Sequence, residues 1–248
     1  MNLDEFCRRF HLLMEEKLPV MAMIEKGRSI VGELVSDAEW FHDILEKMLF
    51  DRQYLDGQRA SIWPNEITLY RSPDKSFVAL AYFWEAHAAD NIHDHGSWGI
   101  VGELINPSIE RKFRRLDDGK TDGYAVLEET SARVLSQGDT TFVLPLDKGI
   151  HQMENLTDQI AVSINVYGRI IRKGYAQYFY PDKKSVARIF PPRTLKEVLA
   201  VRVLGAIDRP WAEDMLRARM HEPLTDLLKK ECEDTLSHIN SSARAREK

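Results

Sequence analysis

The chain has 248 residues, 44% hydrophobic and 29% charged, enough for one sizeable core, and its length favours a single large domain with extensions. A formal net charge of −5 excludes a dedicated nucleic-acid binder, which needs a surplus of Lys and Arg on one face. An acidic start without signal-peptide regions, no apolar run near the roughly 20 residues of a membrane helix, and two distant cysteines, Cys7 and Cys232, predict a cytoplasmic protein with reduced thiols and no membrane partner.

Residues 2 to about 57 read as helical. Leu3, Phe6, Phe10 and Leu13 recur at three- and four-residue spacing and share one face. A second segment opens with Ser36-Asp37-Ala38-Glu39, the pattern of a capping box, and carries Phe41, Ile44, Leu45 and Met48 as its apolar stripe. From about 65 to 190 the period changes. Short runs rich in Val, Ile, Phe and Tyr alternate with turn clusters such as Ser72-Pro73-Asp74, Asp117-Asp118-Gly119 and Gln137-Gly138-Asp139, which predicts an all-β sandwich or barrel. No Gly-rich phosphate loop interrupts them.

Pro191-Pro192 marks the exit from the β region, after which Leu195, Val198 and Leu199 resume helical spacing. Pro210 and Pro223 each fall early in a further helical pattern, where a missing N–H is harmless. Leu224, Leu228, Cys232 and Leu236 recur every four residues as a buried stripe, and the basic stretch Ala243 to Lys248 reads as a solvated tail. The expected organisation is a helical segment over 1–60 packed on a barrel over 61–190, with a helical extension over 191–248.

Of eight histidines, three stand out. His93 and His95 in Asn91-Ile92-His93-Asp94-His95-Gly96 would, on a strand, point to one face about 6.5 Å apart and converge on one metal. The third is His151, in the run from Gly138 to Asn155: a Gly turn, a strand, a Pro and Gly turn, then His followed four residues later by Asn. This run resembles the second cupin motif, and the His93/His95 pair with Trp98 and Gly99 beyond it resembles the first. The resemblance implies a mainly β fold: a cupin double-stranded β-helix (jelly-roll) barrel with N- and C-terminal α-helical extensions. The glutamate that usually follows in the first motif is missing, since Gly99 and Ile100 stand there. Glu103 would lie about 26 Å from His95 along an extended strand and is read as a surface or rim residue. His11, His42, His221 and His238 read as packing or solvent-facing, and His87 as part of a turn.

The segment from His93 to Gly99, together with His151-Gln152-Met153-Glu154-Asn155 and Val162-Ser163-Ile164-Asn165-Val166-Tyr167, resembles the cysteine dioxygenase family of thiol dioxygenases over about residues 65–185. That resemblance implies Fe(II) on His93, His95 and His151, with O2 converting a small thiol of the cysteine or mercapto-acid type to a sulfinic acid. A three-imidazole ion keeps its full charge and so attracts a thiolate. The family's Ser-x-His-x-Tyr strand is matched by Ser163, Asn165 and Tyr167, which share a face. Asn165 departs from the pattern, because an amide does not titrate near neutral pH as His does. Animal members crosslink a Cys to the Tyr; Gly99 stands at that position. Arg71 is the candidate clamp for a substrate carboxylate, and Trp98 the candidate pocket wall. Zn, Ni or Mn would also suit a histidine site. A non-oxidative metal-dependent cupin of isomerase, lyase or hydrolase type, and a non-catalytic ligand-sensing cupin, remain as alternatives, and a homo-oligomer is compatible with each.

Overall fold

The computed structural model describes residues 1–207 and 209–246, with side chains as far as 239, so the side chains of the basic stretch 243–248 and the whole of its last two residues lie outside the described residues. Two compact units divide the chain, Met1–Ile189 and Phe190–Lys248. The amino-terminal helices therefore belong to the same unit as the strands.

The first unit begins with α1 (Leu3–Glu15), α2 (Val20–Val35), α3 (His42–Phe50) and α4 (Arg52–Asp56). In α1 the side chain of Asn2 accepts the Glu5 N–H at 2.9 Å as an N-cap, and Phe6, Phe10 and Leu13 are buried on the face their spacing predicted. The capping box at Ser36 does not form. Ser36 is the C-cap of α2 and donates back to the Glu33 carbonyl, while Asp37 accepts the Glu39 N–H. The link between the helices is too short for Ser36 to leave the first and cap the second. Leu45 is exposed, whereas Phe41 and Ile44 are buried.

Ten strands follow among the described residues: β1 (Glu66–Arg71), β2 (Phe77–Trp84), β3 (Gly99–Ile105), β4 (Ser108–Arg115), β5 (Leu127–Leu135), β6 (Thr140–Val143), β7 (Ile150–Glu154), β8 (Ala161–Gly168), β9 (Ala176–Tyr180) and β10 (Ser185–Ile189). One antiparallel wall has the order β1-β2-β8-β3-β6; the other is built from β5-β4-β7 and β10-β9. The two pieces of the second wall meet at His93, which bridges both His151 on β7 and Tyr178 on β9.

The strands β2, β3 and β8 are buried on both faces, which explains their near-continuous apolar runs. Phe77, Ala79, Ala81, Ile100, Leu104, Ile164 and Val166 point outward into a core shared with α1 and α2, where the Phe10 ring lies 4.9 Å from that of Phe77. Leu80, Tyr82, Trp84, Val101 and Tyr167 point inward and meet Leu135 and Met153 of the other wall. The barrel interior is thus the smaller and more polar of the two cores. Glu103, expected at the surface, is fully buried on β3 beside Ser163 of β8, and the Ser108 hydroxyl donates to it. The alternation that turns Val101 inward turns Glu103 inward too.

A register shift between Thr68 and Tyr70 on β1 places Arg71 opposite Val78, on the inward face shared with Glu66 and Thr68. Tyr70 turns outward and its hydroxyl meets His11 Nε2 at 2.7 Å.

The second unit contains α5 (Pro192–Ala206), α6 (Pro210–Met220) and α7 (Asp226–Arg246). Pro210 takes a first-turn position as expected, and Pro192 does so too, but Pro223 lies in the connection before α7 rather than within its first turn. Val201, Leu216 and Cys232 are buried together, with Leu224 and Leu236 against them, and Arg202 grips Glu231 through two bonds of 3.0 Å. No helix among the described residues is long and apolar enough to cross a membrane.

Candidate metal centre

His93 and His95 lie on an extended segment before β3 rather than within a ladder strand, while His151 is the second residue of β7. The backbones of His93 and His151 exchange both N–H···O bonds at 2.9 Å, which sets the two side chains next to each other. His93 Nε2 is 2.9 Å from His95 Nε2, and His95 Nε2 is 2.9 Å from His151 Nε2. Two nitrogens have about that separation when each lies roughly 2.1 Å from one ion. All three residues are buried, at 3%, 6% and 1% exposure. Three buried imidazoles aiming one nitrogen each at a common point fit a divalent cation.

The opposite ring nitrogens fix the tautomers. His93 Nδ1 meets the Asn91 carbonyl at 2.8 Å and Asp90 at 3.1 Å. His151 Nδ1 meets Glu110 Oε1 at 2.9 Å, and Thr141 donates to the other Glu110 oxygen at 2.6 Å. Burial would raise the Glu110 carboxyl, but its bond to His151, the nearby charge of Lys112 and the bond from Thr141 hold it below the usual carboxylate value. Glu110 therefore supplies negative charge to the far side of a ligand, the arrangement that raises a histidine's basicity toward a metal. Burial and the two neighbouring imidazoles push His95 well below its ordinary value, so its ring is neutral and free to coordinate.

Between the two ligands of the first motif, Asp94 is fully buried and takes both Arg172 amino groups, at 2.6 and 2.5 Å, together with the Gln177 N–H at 2.8 Å. The same clamp brings the Arg172 carbonyl so close to Gly96 that an added Cβ would sit 2.4 Å from it. Gly96 thus permits the segment after β8 to lie flat on the ligand loop.

Tyr167 lies beside the histidines, its ring centroid 4.8 Å from that of His95. Asn165 donates to its hydroxyl at 3.1 Å, and Ser163 accepts from the Trp84 indole at 3.1 Å, so Ser163 is tied to the barrel floor. Gly99 faces Tyr167, and an added Cβ would fall 2.6 Å from the phenol ring. Gly99→Ala is expected to cost about 1–3 kcal/mol through overpacking, read as a lowered midpoint in thermal unfolding.

Trp98 does not border the histidines. It stacks 6.5 Å from Phe10 in the core beneath the helices. The indole over the site is Trp63, with centroids 5.4 Å from His93 and 5.8 Å from His95. It stands in Ser61-Ile62-Trp63-Pro64, just before β1, where a lone aromatic in a polar loop was the available signal. His87 stands in a turn and bonds Asp158 at the surface, at 2.9 Å. His42 faces solvent, with Asp43 and Glu46 at ligand spacing and exposed as well. Asn155 is a turn residue whose amide serves three backbone carbonyls.

No family model matches the chain. Among solved structures it is similar to a cupin-superfamily sugar phosphate isomerase from Silicibacter pomeroyi DSS-3, at 17% identity and a TM-score of 0.34 over 55% of this chain and 90% of that one. It is similar also to a cupin superfamily protein from Desulfitobacterium hafniense DCB-2, at 10% identity and a TM-score of 0.30 over 42% and 75% of the two chains. A DMSP lyase from Ruegeria pomeroyi DSS-3 aligns at 16% identity and a TM-score of 0.33 over 54% and 57%. The strand order and the histidines converging from the two motifs define the class: a cupin double-walled β-barrel with helical extensions, holding a buried three-histidine group able to bind a metal. The barrel alone names no reaction.

Proposed function

We propose that the chain is a thiol dioxygenase-like enzyme that holds Fe(II) on His93, His95 and His151 and converts a small thiol to a sulfinic acid, R–SH + O2 → R–SO2H. The observation that carries this reading is a donor set of three buried imidazoles with no carboxylate among them, beside the Tyr167 ring at 4.8 Å from His95. Iron held there would supply the redox chemistry. A site that leaves its ion the full positive charge favours an anionic sulfur ligand. Tyr167 offers a hydroxyl to the bound substrate, Asn165 orients that hydroxyl, and Ser163 keeps β8 fixed through Trp84. Trp63 covers the histidines and keeps water from them.

Arg71 is suited to hold a substrate carboxylate. The register shift on β1 turns it to the inward face, the face of Glu66 and Thr68, at the exposed end of the strand where a carboxylate can reach it.

O2 consumption by Fe(II)-loaded protein tests the proposal, with cysteine, 3-mercaptopropionate, cysteamine and mercaptosuccinate as substrates. One or more thiols should be consumed at rates at least a hundredfold above those of His151→Ala, with sulfinate as product. Stoichiometric iron without consumption of any thiol would sink the reading. The second reading, a non-oxidative metal-dependent cupin, draws on the hydrogen-bonded tyrosine beside the site; turnover that persists without O2 would favour it.

A further inference from the structure

The three histidines are not held in the same way. His93 and His151 each have the ring nitrogen that faces away from the centre tied to the protein, His93 to the Asn91 carbonyl at 2.8 Å and His151 to Glu110 at 2.9 Å. His95 has no such tie. Among the described residues its ring nitrogens meet only the other two imidazoles, and both of those contacts run from Nε2. Its ring lies against those of Trp63 and Tyr167, contacts that carry no directional bond. The place of His95 is therefore set through its backbone.

That backbone is gripped on both sides by one loop, residues 169–175 between β8 and β9. Just before His95, Asp94 takes both amino groups of Arg172 and the Gln177 N–H, and its own N–H donates to the Gln177 carbonyl at 3.2 Å. Just after it, the Gly96 carbonyl accepts from the Ile171 N–H at 2.7 Å and from the Arg172 N–H at 3.3 Å. The His95 carbonyl accepts from the Leu146 N–H at 2.8 Å. Successive side chains of extended backbone point to opposite sides, so Asp94 turns away from the centre and Arg172 holds the segment from behind.

We propose that Arg172 is a positioning residue of the metal centre, acting through Asp94 to fix where His95 presents its nitrogen. Two parallel bonds to one guanidinium fix the plane of the Asp94 carboxylate, which a single bond or a bare charge does not. A fixed carboxylate fixes the backbone one residue ahead of the ligand. Burial argues the same way: Asp94 is 0% and Arg172 14% exposed, and an ion pair so removed from water gains little stability over a neutral pair of the same size. What the fork adds is direction. The Arg172 plane is itself held, lying over the Tyr175 ring with its central carbon 4.6 Å from the ring centroid. The inference rests on the three histidines binding a divalent ion and not on the thiol reaction.

The test uses Co(II) alone as the probe, added to full-length protein in which Asp94→Asn is combined with Arg172→Gln. The pair of substitutions removes one charge of each sign, so the net charge beside the ion is unchanged. The two amides can still bond each other and the Gln177 N–H, but the fork is gone. The double variant should bind Co(II) at least about tenfold more weakly than wild type in competition with a chelator, with altered visible absorption bands. Its metal-free form should unfold within a few degrees of metal-free wild type. A purely structural pair would give the reverse, a lowered thermal midpoint with unchanged Co(II) affinity and bands, and that result would overturn the proposal. Should the double variant fail to fold, Arg172→Lys, which keeps the charge and loses the fork, decides by the same affinity and bands. Wild type that takes up no Co(II) would overturn the proposal together with the metal centre. Thiols that are never oxidised would remove the dioxygenase reading and leave the Co(II) result standing.

Discussion

Glu103→Gln should leave the protein about as stable as wild type near pH 4 and make it markedly more stable near pH 9. Burial pushes the Glu103 carboxyl up to about 8, against the bond from Ser108. The folded state therefore keeps a proton that the unfolded chain releases near the ordinary value of 4.5. Stability from this group is full below the unfolded value, declines as pH rises toward the folded value, and levels off beyond it. With each unit worth about 1.4 kcal/mol, wild type loses on the order of 5 kcal/mol across that window. The amide of the variant cannot ionise and loses none of it. One Glu103 oxygen has no hydrogen-bond partner, so the amide group of Gln replaces an O–H that was already unpaired. Urea unfolding followed by fluorescence of the buried Trp84 and Trp98 at several pH values measures the difference. Parallel curves for the two proteins would mean that Glu103 ionises readily where it stands.

Glu110→Gln should bind metal about tenfold more weakly than wild type, and Glu110→Ala about a hundredfold more weakly. The amide still offers His151 an oxygen but removes the charge; alanine removes both. The loss belongs to the ion and not to folding alone, because Gln keeps the size of Glu and its NH2 group can donate to the Thr141 hydroxyl where the second oxygen had accepted. Competition against a coloured chelator, with circular dichroism on the same samples, separates the two effects. Equal affinity in Gln and wild type would reduce Glu110 to a packing residue.

The sequence disclosed the histidines because their signal is local. Two residues apart on extended chain means one face, and the third histidine sits at a fixed place after a strand and turn. The carboxylates that support them could not be read in the same way. Glu110 reaches His151 only because β4 pairs with β7 in one register, in which Lys112 and not Glu110 stands opposite the histidine. Arg71 shares a face with Glu66 only because β1 carries a one-residue irregularity, which no period in the sequence announces. Glu103 was misplaced by the assumption that a carboxylate seeks water, which fails where it stays protonated and meets a buried serine. Trp98 was misplaced because its position in the first motif says where it falls in the chain, not which of two cores its strand end faces.

His93 is at once a ligand and the stitch between the two parts of the second wall. Its imidazole faces the ion site while its backbone is paired on both flanks. A cupin wall sewn at that residue cannot swing the ligand aside without parting β7 from β9. An ion held on His93 would then be released only where that seam parts, so its exchange would be tied to local opening of the wall.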